Sequence, residues 1–402
     1  MTLRKGMGYT QRTDSRQAGQ RLAEGVRDGL RGASPDILFF FATVGHNIPD
    51  VIAGIVERFG DIPLVGCSGA GILAGPEADE ATHSAALLGL SAPNIQFSPF
   101  LVEGLAADPE GVGRDIGRRV ADLKIPPGTP HFVMLFPDGL TVNADRLLVG
   151  IQDALGRPID VVGGTAGNDY RFSKTFQFGQ GRVASDAVSG AVISGDLNYR
   201  VGVSHGSEPL GLFRTVTRAH RNIVHEIDGR PAVELLQTFL GEERMGDLGQ
   251  VINLFELGEA FEGRDYSGDI INRAIIGIDA NAGSLTLGVE VAEGSKIRLT
   301  RRNPERVLAG TREVAGRVRN GLRHPDEAAL FYFDCSGRGA YLFGDSDPDV
   351  RALSAALGAD ADPIGFFCFG EIAPVAGRTY FHNYTGVLLG LESGGEQHGV
   401  SR

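Results

Sequence analysis

Apolar residues along this chain fall into two kinds of run that alternate. Unbroken blocks such as Ile37-Leu38-Phe39-Phe40-Phe41 predict strands buried on both faces. Between the blocks, apolar residues recur at helical spacing. Ala18, Leu22, Val26 and Leu30, within Asp14 to Arg31, predict a helix with one apolar face, after a polar lead. A second helix starts at Pro49-Asp50-Val51, carries Ile52, Ile55, Val56 and Phe59, and ends at Gly60. The strand Ile62-Pro63-Leu64-Val65 then runs into Gly66-Cys67-Ser68-Gly69-Ala70-Gly71. His83 to Leu90, ending Leu87-Leu88-Gly89-Leu90, closes the unit as another strand.

The order then repeats. A helix on Val112, Ile116, Val120 and Leu123 precedes a strand from Phe132 to Phe136. A helix capped by Asn143 carries Leu147, Leu148, Ile151 and Leu155. Ile159 to Val162 enters Gly163-Gly164-Thr165-Ala166-Gly167, Thr175 to Ala184 alternates as a hairpin arm, and Gly190 to Ser194 closes the unit. A third unit starts near Pro304, with Val307, Val314, Val318 and Leu322 on one helix face. Its strand is Ala328 to Phe333 and its second helix begins at Pro348-Asp349-Val350. The third glycine turn is Gly365-Phe366-Phe367-Cys368-Phe369-Gly370, and Leu388-Leu389-Gly390-Leu391 ends the last strand. Agreement in order, spacing and punctuation marks an internal repeat. Residues 196–303 stand outside it, with strands expected at Tyr199 to Ser204, Arg214 to Val224, Ile270 to Ile278 and Ser284 to Val291, and a helix from Pro231 to Leu240. The predicted class is α/β: repeated strand-helix-strand-strand units form mixed sheets with flanking helices in two associated halves. Strand-helix-strand pairs should be parallel and the closing strand antiparallel.

Composition narrows the function. Glycine, 58 of 402 residues, is about twice its usual share and sits at the ends of periodic segments, so it marks tight turns. A net charge of −12 argues against nucleic acid and against an anionic membrane surface. Three cysteines without CxxC spacing indicate neither a disulfide framework nor a cysteine zinc site, and Met1 to Gln20 lacks an apolar signal core. The expected compartment is the cytoplasm.

Glycine turns at strand ends can present backbone N–H groups to a carboxylate or phosphate; they can equally serve close packing. No Lys-Ser/Thr follows to make a P-loop. Gly66, Cys67, Ser68, Gly163, Gly164, Thr165 and Gly370 are therefore candidate ligand contacts. Glu371 can take a ligand ammonium or hold its own loop, and Arg338 can fork onto a ligand carboxylate or lie at the surface. Together they would suit a zwitterion such as an amino acid. His382 and Asn383 line the same strand edge, where the histidine can simply bond a turn. Cys67, Cys335 and Cys368 read as small buried hydrophobes, since no base is near in sequence. No catalytic residue, metal or obligatory cofactor is assigned. Two other readings remain: a hydrolase using Ser68 or Cys67, and a haem gas sensor, although no CxxCH attachment site is present.

Val65-Gly66-Cys67-Ser68 with Ala70-Gly71, and Val162-Gly163-Gly164, resemble the N-terminal half of the FIST (F-box and intracellular signal transduction) family. His225-Glu226-Ile227-Asp228-Gly229-Arg230-Pro231-Ala232, Cys335-Ser336-Gly337-Arg338-Gly339, Gly370-Glu371-Ile372-Ala373-Pro374 and His382-Asn383-Tyr384-Thr385 resemble its C-terminal half. The resemblance covers roughly residues 10 to 392. It implies a lead and first helix over 1–34, a FIST N-terminal domain over 35–222, a C-terminal domain over 223–392 and a flexible tail over 393–402. It further implies a cytoplasmic sensor of a small ligand, with amino acids proposed, that feeds a separate histidine kinase, cyclic-di-nucleotide enzyme or chemotaxis protein. Some members resemble haem-binding nitric oxide sensors. The family's first turn continues Gly-Glu-Ile, whereas Gly71-Ile72-Leu73 lacks the acid, leaving that carboxylate only at Glu371.

Overall fold

A computed structural model describes residues 2–240, 254–261, 270–358 and 361–394; the expected tail lies outside them from residue 395 on. The chain builds three copies of one unit. Unit one runs β1 (Arg4–Thr10), α1 (Ser15–Leu30), β2 (Ile37–Ala42), α2 (Ile48–Phe59), β3 (Leu64–Ser68), a hairpin of β4 (Gly71–Ala74) and β5 (Glu77–Asp79), then β6 (Ala85–Ser91). Unit two repeats it as β7 (Ile95–Glu103), α3 (Pro109–Asp122), β8 (His131–Pro137), α4 (Ala144–Leu155), β9 (Val161–Gly164), the hairpin β10 (Gln177–Gly179) and β11 (Arg182–Ala184), and β12 (Ala187–Gly195).

Unit three opens with β13 (Leu197–Ser204) and is interrupted by an insertion. This comprises β14 (Ser207–His220), β15 (Ile223–Ile227), β16 (Arg230–Pro231), α5 (Val233–Leu240), β17 (Phe255–Ala260), β18 (Ile270–Asp279), β19 (Ser284–Leu287) and β20 (Lys296–Arg302). The unit resumes with α6 (Pro304–Gly321), β21 (Ala329–Cys335), a one-turn α7 (Ala340–Phe343) and α8 (Pro348–Leu357). It ends with β22 (Ile364–Cys368), the hairpin β23 (Glu371–Val375) and β24 (Arg378–His382), and β25 (Gly386–Ser393).

Each unit's core pairs as expected, with β2–β3, β8–β9 and β21–β22 parallel and β6, β12 and β25 antiparallel beside them. The hairpins, however, are exchanged in a ring. Unit one's β4 pairs with β22 of unit three, unit two's β10 with β3 of unit one, and unit three's β23 with β9 of unit two. The sheet orders are accordingly β1-β6-β2-β3-β10-β11, β7-β12-β8-β9-β23-β24 and β13-β25-β21-β22-β4-β5. The polar lead is corrected: it forms β1, paired along its length with β6. The single strand expected at Arg214 to Val224 is two, turning between β14 and β15 at Arg221, whose φ is 54°.

Strand alternation explains the unbroken apolar blocks. Phe39 and Phe41 face the centre, while Leu38 and Phe40 face α1 and α2. Sheet two does the same against α3 and α4, and sheet three against α6 and α8. At the centre the equivalent residues Phe41, Phe136 and Phe333 meet with ring centroids 5.3, 5.8 and 6.5 Å apart, and Phe366 packs on all three. This shared aromatic core binds the three units into one body. In the insertion, β14-β20-β17-β18-β19-β15 closes on itself through a β14–β15 pairing, making a small barrel beside α4 and the unit-three turns.

Candidate functional site

The three glycine turns do meet, but they bond to one another and to neighbouring strands. Gly66, Gly163 and Gly365 occupy equivalent positions. A β-carbon on each would overlap the carbonyl oxygen of Phe40, Leu135 and Tyr332 respectively, so only glycine allows the neighbouring strand this close. Ser68 N donates to Phe176 O (2.8 Å), Ala70 N to Phe367 O (2.8 Å), Thr165 N to Gly370 O (2.8 Å) and Gly167 N to Ser68 O (2.9 Å). The expectation that these amides face a ligand is thus corrected: they are spent on the hub itself. Ser68 Oγ donates to Gly167 O and accepts from Phe176 N. Cys67 is fully buried, and burial pushes its thiol well above the usual range. Neither is an activated nucleophile in this state.

The register of the exchanged hairpins aligns Ile72, Gln177 and Glu371, since each lies opposite the residue after its sheet's hub glycine. Glu371 is wholly buried. Its Oε2 accepts from Thr385 N (3.0 Å) and Thr385 Oγ1 (2.6 Å), and Cys368 Sγ donates to its Oε1 at 3.1 Å. Burial pushes its carboxyl up to about 7 against those bonds.

Arg338 is also wholly buried, which corrects the clamp on a ligand carboxylate expected of it. Its guanidinium donates to Asp349 Oδ2 (2.7 Å), Ser204 O (2.7 Å) and Thr311 Oγ1 (2.8 Å). Asp334 Oδ1 lies 2.9 Å from Nε, at an angle that makes no hydrogen bond. His382 Nε2 lies 3.2 Å from Ala373 O, and burial drives its pKa down to about 3. Asn383 Oδ1 accepts from Ala274 N at 3.0 Å, tying this edge to the insertion.

Against this edge the insertion turns a polar face that sequence reading missed. Glu256, Asn272 and Arg302 are buried there. Asn272 Nδ2 donates to Ser207 Oγ (2.7 Å), and Arg302 Nη1 donates to Gly337 O (2.6 Å) with its guanidinium 4.4 Å above the Tyr384 ring. Both Glu256 oxygens lie outside hydrogen-bond geometry, and burial raises its carboxyl to about 7.

A cavity borders the same strands. It measures about 500 Å³ and opens between α4, β24 and the barrel, within the range of small-molecule sites. The α4 residues Asp145, Leu148, Val149 and Gln152 enter it at i, i+3, i+4 and i+7, one face of the helix. Asn143 caps that helix, accepting from Arg146 N and donating to Glu290 Oε1 at 2.9 Å. The barrel contributes Glu259, Phe261, Ile271, Arg273 and Glu290, and β24 contributes Arg378, Thr379 and Tyr380. Arg273 Nε donates to Glu259 Oε2 at 2.8 Å, and Arg146 Nε lies 3.4 Å from Glu290 Oε1, so these charges are matched.

Asp145 and Arg378 are not matched: among the described residues neither has an ion-pair partner within 4 Å. Asp145 is half-buried, and burial raises its pKa, with Arg273 opposing, Glu259 and Glu290 adding to the rise, and Arg378 opposing more weakly. Arg378 is exposed, its guanidinium 5.3 Å from the Tyr380 ring centre.

Three other cavities, of about 620, 350 and 510 Å³, each lie where a unit's first strand meets the end of its first helix. They recur with the architecture, whereas the α4–β24 cavity depends on the insertion. No histidine or cysteine lines any of these four, so none of them offers an imidazole or a thiolate to a haem iron.

A mixed α/β repeat with a barrel inserted in its third unit thus defines the class. The chain belongs to the FIST family: the FIST N domain matches residues 36–230 and the FIST C domain residues 232–374. FIST domains are associated with sensing in signal transduction. An uncharacterized protein of Mycobacterium bovis is 28% identical over 392 residues, covering 95% of this chain and 97% of its own length. Another, from Mycobacterium tuberculosis, is 27% identical over 393 residues, with coverage of 95% and 98%. A cyanuric acid hydrolase from A. caulinodans aligns over 97% of this chain and 99% of its own at 10% identity, with a TM-score of only 0.36. That likeness is too slight to bear on chemistry. Among the described residues no helix is long and apolar enough to cross a membrane.

Proposed function

We propose that the protein is a sensor module that binds a small zwitterion of the amino-acid class in the α4–β24 cavity, without turnover. The observation that carries this reading is the pair of unmatched opposite charges, Asp145 and Arg378, in one cavity. A ligand ammonium beside Asp145 would relieve the cost of ionising a crowded carboxylate. A ligand carboxylate would meet the guanidinium of Arg378 over Tyr380. Leu148, Val149, Phe261 and Ile271 supply apolar surface for the rest of the ligand. The signal passes to a separate partner, for which the family association suggests a histidine kinase, a cyclic-di-nucleotide enzyme or a chemotaxis protein, and the module works in the cytoplasm.

Thermal shift against the free L-amino acids, and against their N-acetyl and carboxamide forms, tests the reading. Saturating free amino acid should raise Tm by a few degrees. Either blocked form, or either of Asp145→Asn and Arg378→Ala, should weaken binding about 10–100-fold, the loss of one charged contact. An undiminished shift in Asp145→Asn would sink it.

A further inference from the structure

Strand β24 borders the cavity and also touches the glycine hub, and its contacts to each are specific. Tyr380 lines the cavity, and Arg273, also in its wall, donates from Nη1 to Phe381 O at 2.8 Å. One residue along β18, Ala274 N donates to Asn383 Oδ1 at 3.0 Å. The barrel therefore grips β24 and the turn that follows it at two adjacent points.

At the hub, the Phe381 ring lies directly over Gly370, where a β-carbon would overlap it. Gly370 O accepts the Thr165 amide at 2.8 Å, and the next residue, Glu371, holds Thr385 by two bonds. Thr385 O in turn accepts from Cys335 N at 3.0 Å, which reaches β21. Gly66, Gly163 and Gly365 meet strand carbonyls, while the Phe366, Cys368 and Phe381 side chains close over Gly69, Gly164 and Gly370, so the hub has little room to absorb a displacement. A shift of β24 must therefore be shared by the Gly370–Thr165 and Glu371–Thr385 bonds.

We propose that β24 is the transmission element of the sensor: occupancy of the cavity, felt at Tyr380 and Arg273, is carried through Phe381 and Asn383 to the hub that joins the three units. The proposal rests on the cavity being the ligand site, but its coupling step is testable without a ligand.

Hydrogen–deuterium exchange on the full chain compares wild type with Asn383→Ala, Arg273→Lys and, as a control in the cavity wall on α4 and not on β24, Gln152→Ala. Asn383→Ala and Arg273→Lys should speed exchange at least tenfold at the Thr165 and Thr385 amides, while the amides of α1 and α2 keep their wild-type rates. Gln152→Ala should leave the hub unchanged. Wild-type exchange at the hub in both coupling variants overturns the proposal, and so does a uniform rise across the molecule, because that reports general destabilisation. Arg273→Lys keeps the test valid if Asn383→Ala fails to fold. In a second arm, an equimolar mixture of the L-amino acids should protect the hub amides in wild type and not in Asn383→Ala. Binding of the mixture without hub protection overturns the coupling and spares the site. Absence of binding overturns the site, while the variant arm still decides the coupling.

Discussion

At the scale of single residues, the hub glycines and the buried glutamates do opposite things to stability. Alanine at Gly66, Gly163 or Gly365 forces a β-carbon onto a strand carbonyl, and urea unfolding should show a loss of about 3 kcal/mol or more for each. Gly316, in α6, has nothing within 4 Å of its β-position, so Gly316→Ala should instead add about 0.5–1 kcal/mol. Glu256 titrates at about 7 in the fold, above its ordinary 4.5. Between those values the native state holds the extra proton, so its contribution is present at low pH and is lost as pH rises through about 7. His205 and His382, driven down to about 4 and about 3 by burial, pull the other way as pH falls below 6.5. The clean readout is therefore a difference: Glu256→Gln should gain about 1–3 kcal/mol on wild type at pH 8, and the gain should vanish near pH 4.5. A gain independent of pH would refute the assignment.

At the scale of elements, the apolar blocks and helical stripes were legible because each sheet is covered on both faces and each helix on one. The strand β1 was not: Arg4-Lys5-Gly6-Met7-Gly8-Tyr9-Thr10 has glycine where α1 crosses, so its buried face shows little apolar signal. The repeat was readable from punctuation, but the ring exchange of hairpins was not, because no local pattern records which sheet a hairpin joins. The candidate site suffered similarly. Glycine turns stood out and proved to be the packed hub, while the Asp145, Leu148, Val149 and Gln152 face of α4 has mixed polarity and no motif. The missing acid in the first turn has a structural reason. Ile72, the counterpart of Glu371, lies fully buried in the central core. Ile72→Glu should cost about 4 kcal/mol or more, or abolish folding, as judged by circular dichroism in urea.

At the scale of the whole molecule, each unit's sheet is finished by another unit's hairpin, so no unit has a complete sheet of its own. The three-unit body should unfold in one cooperative step, with far-ultraviolet and tyrosine near-ultraviolet signals coinciding across a urea titration. Separate transitions of unit size would contradict the shared core. The same closure leaves the centre to aromatic rings, and the cavity proposed for the ligand lies at the periphery, where the inserted barrel makes a wall the repeat lacks. The direct test is calorimetric titration with the L-amino acid giving the largest thermal shift, run on wild type, Asp145→Asn and Glu371→Gln. Binding should weaken about 10–100-fold in Asp145→Asn and stay within about threefold of wild type in Glu371→Gln. Binding that survives Asp145→Asn but is lost in Glu371→Gln would return the site to the hub and contradict the account.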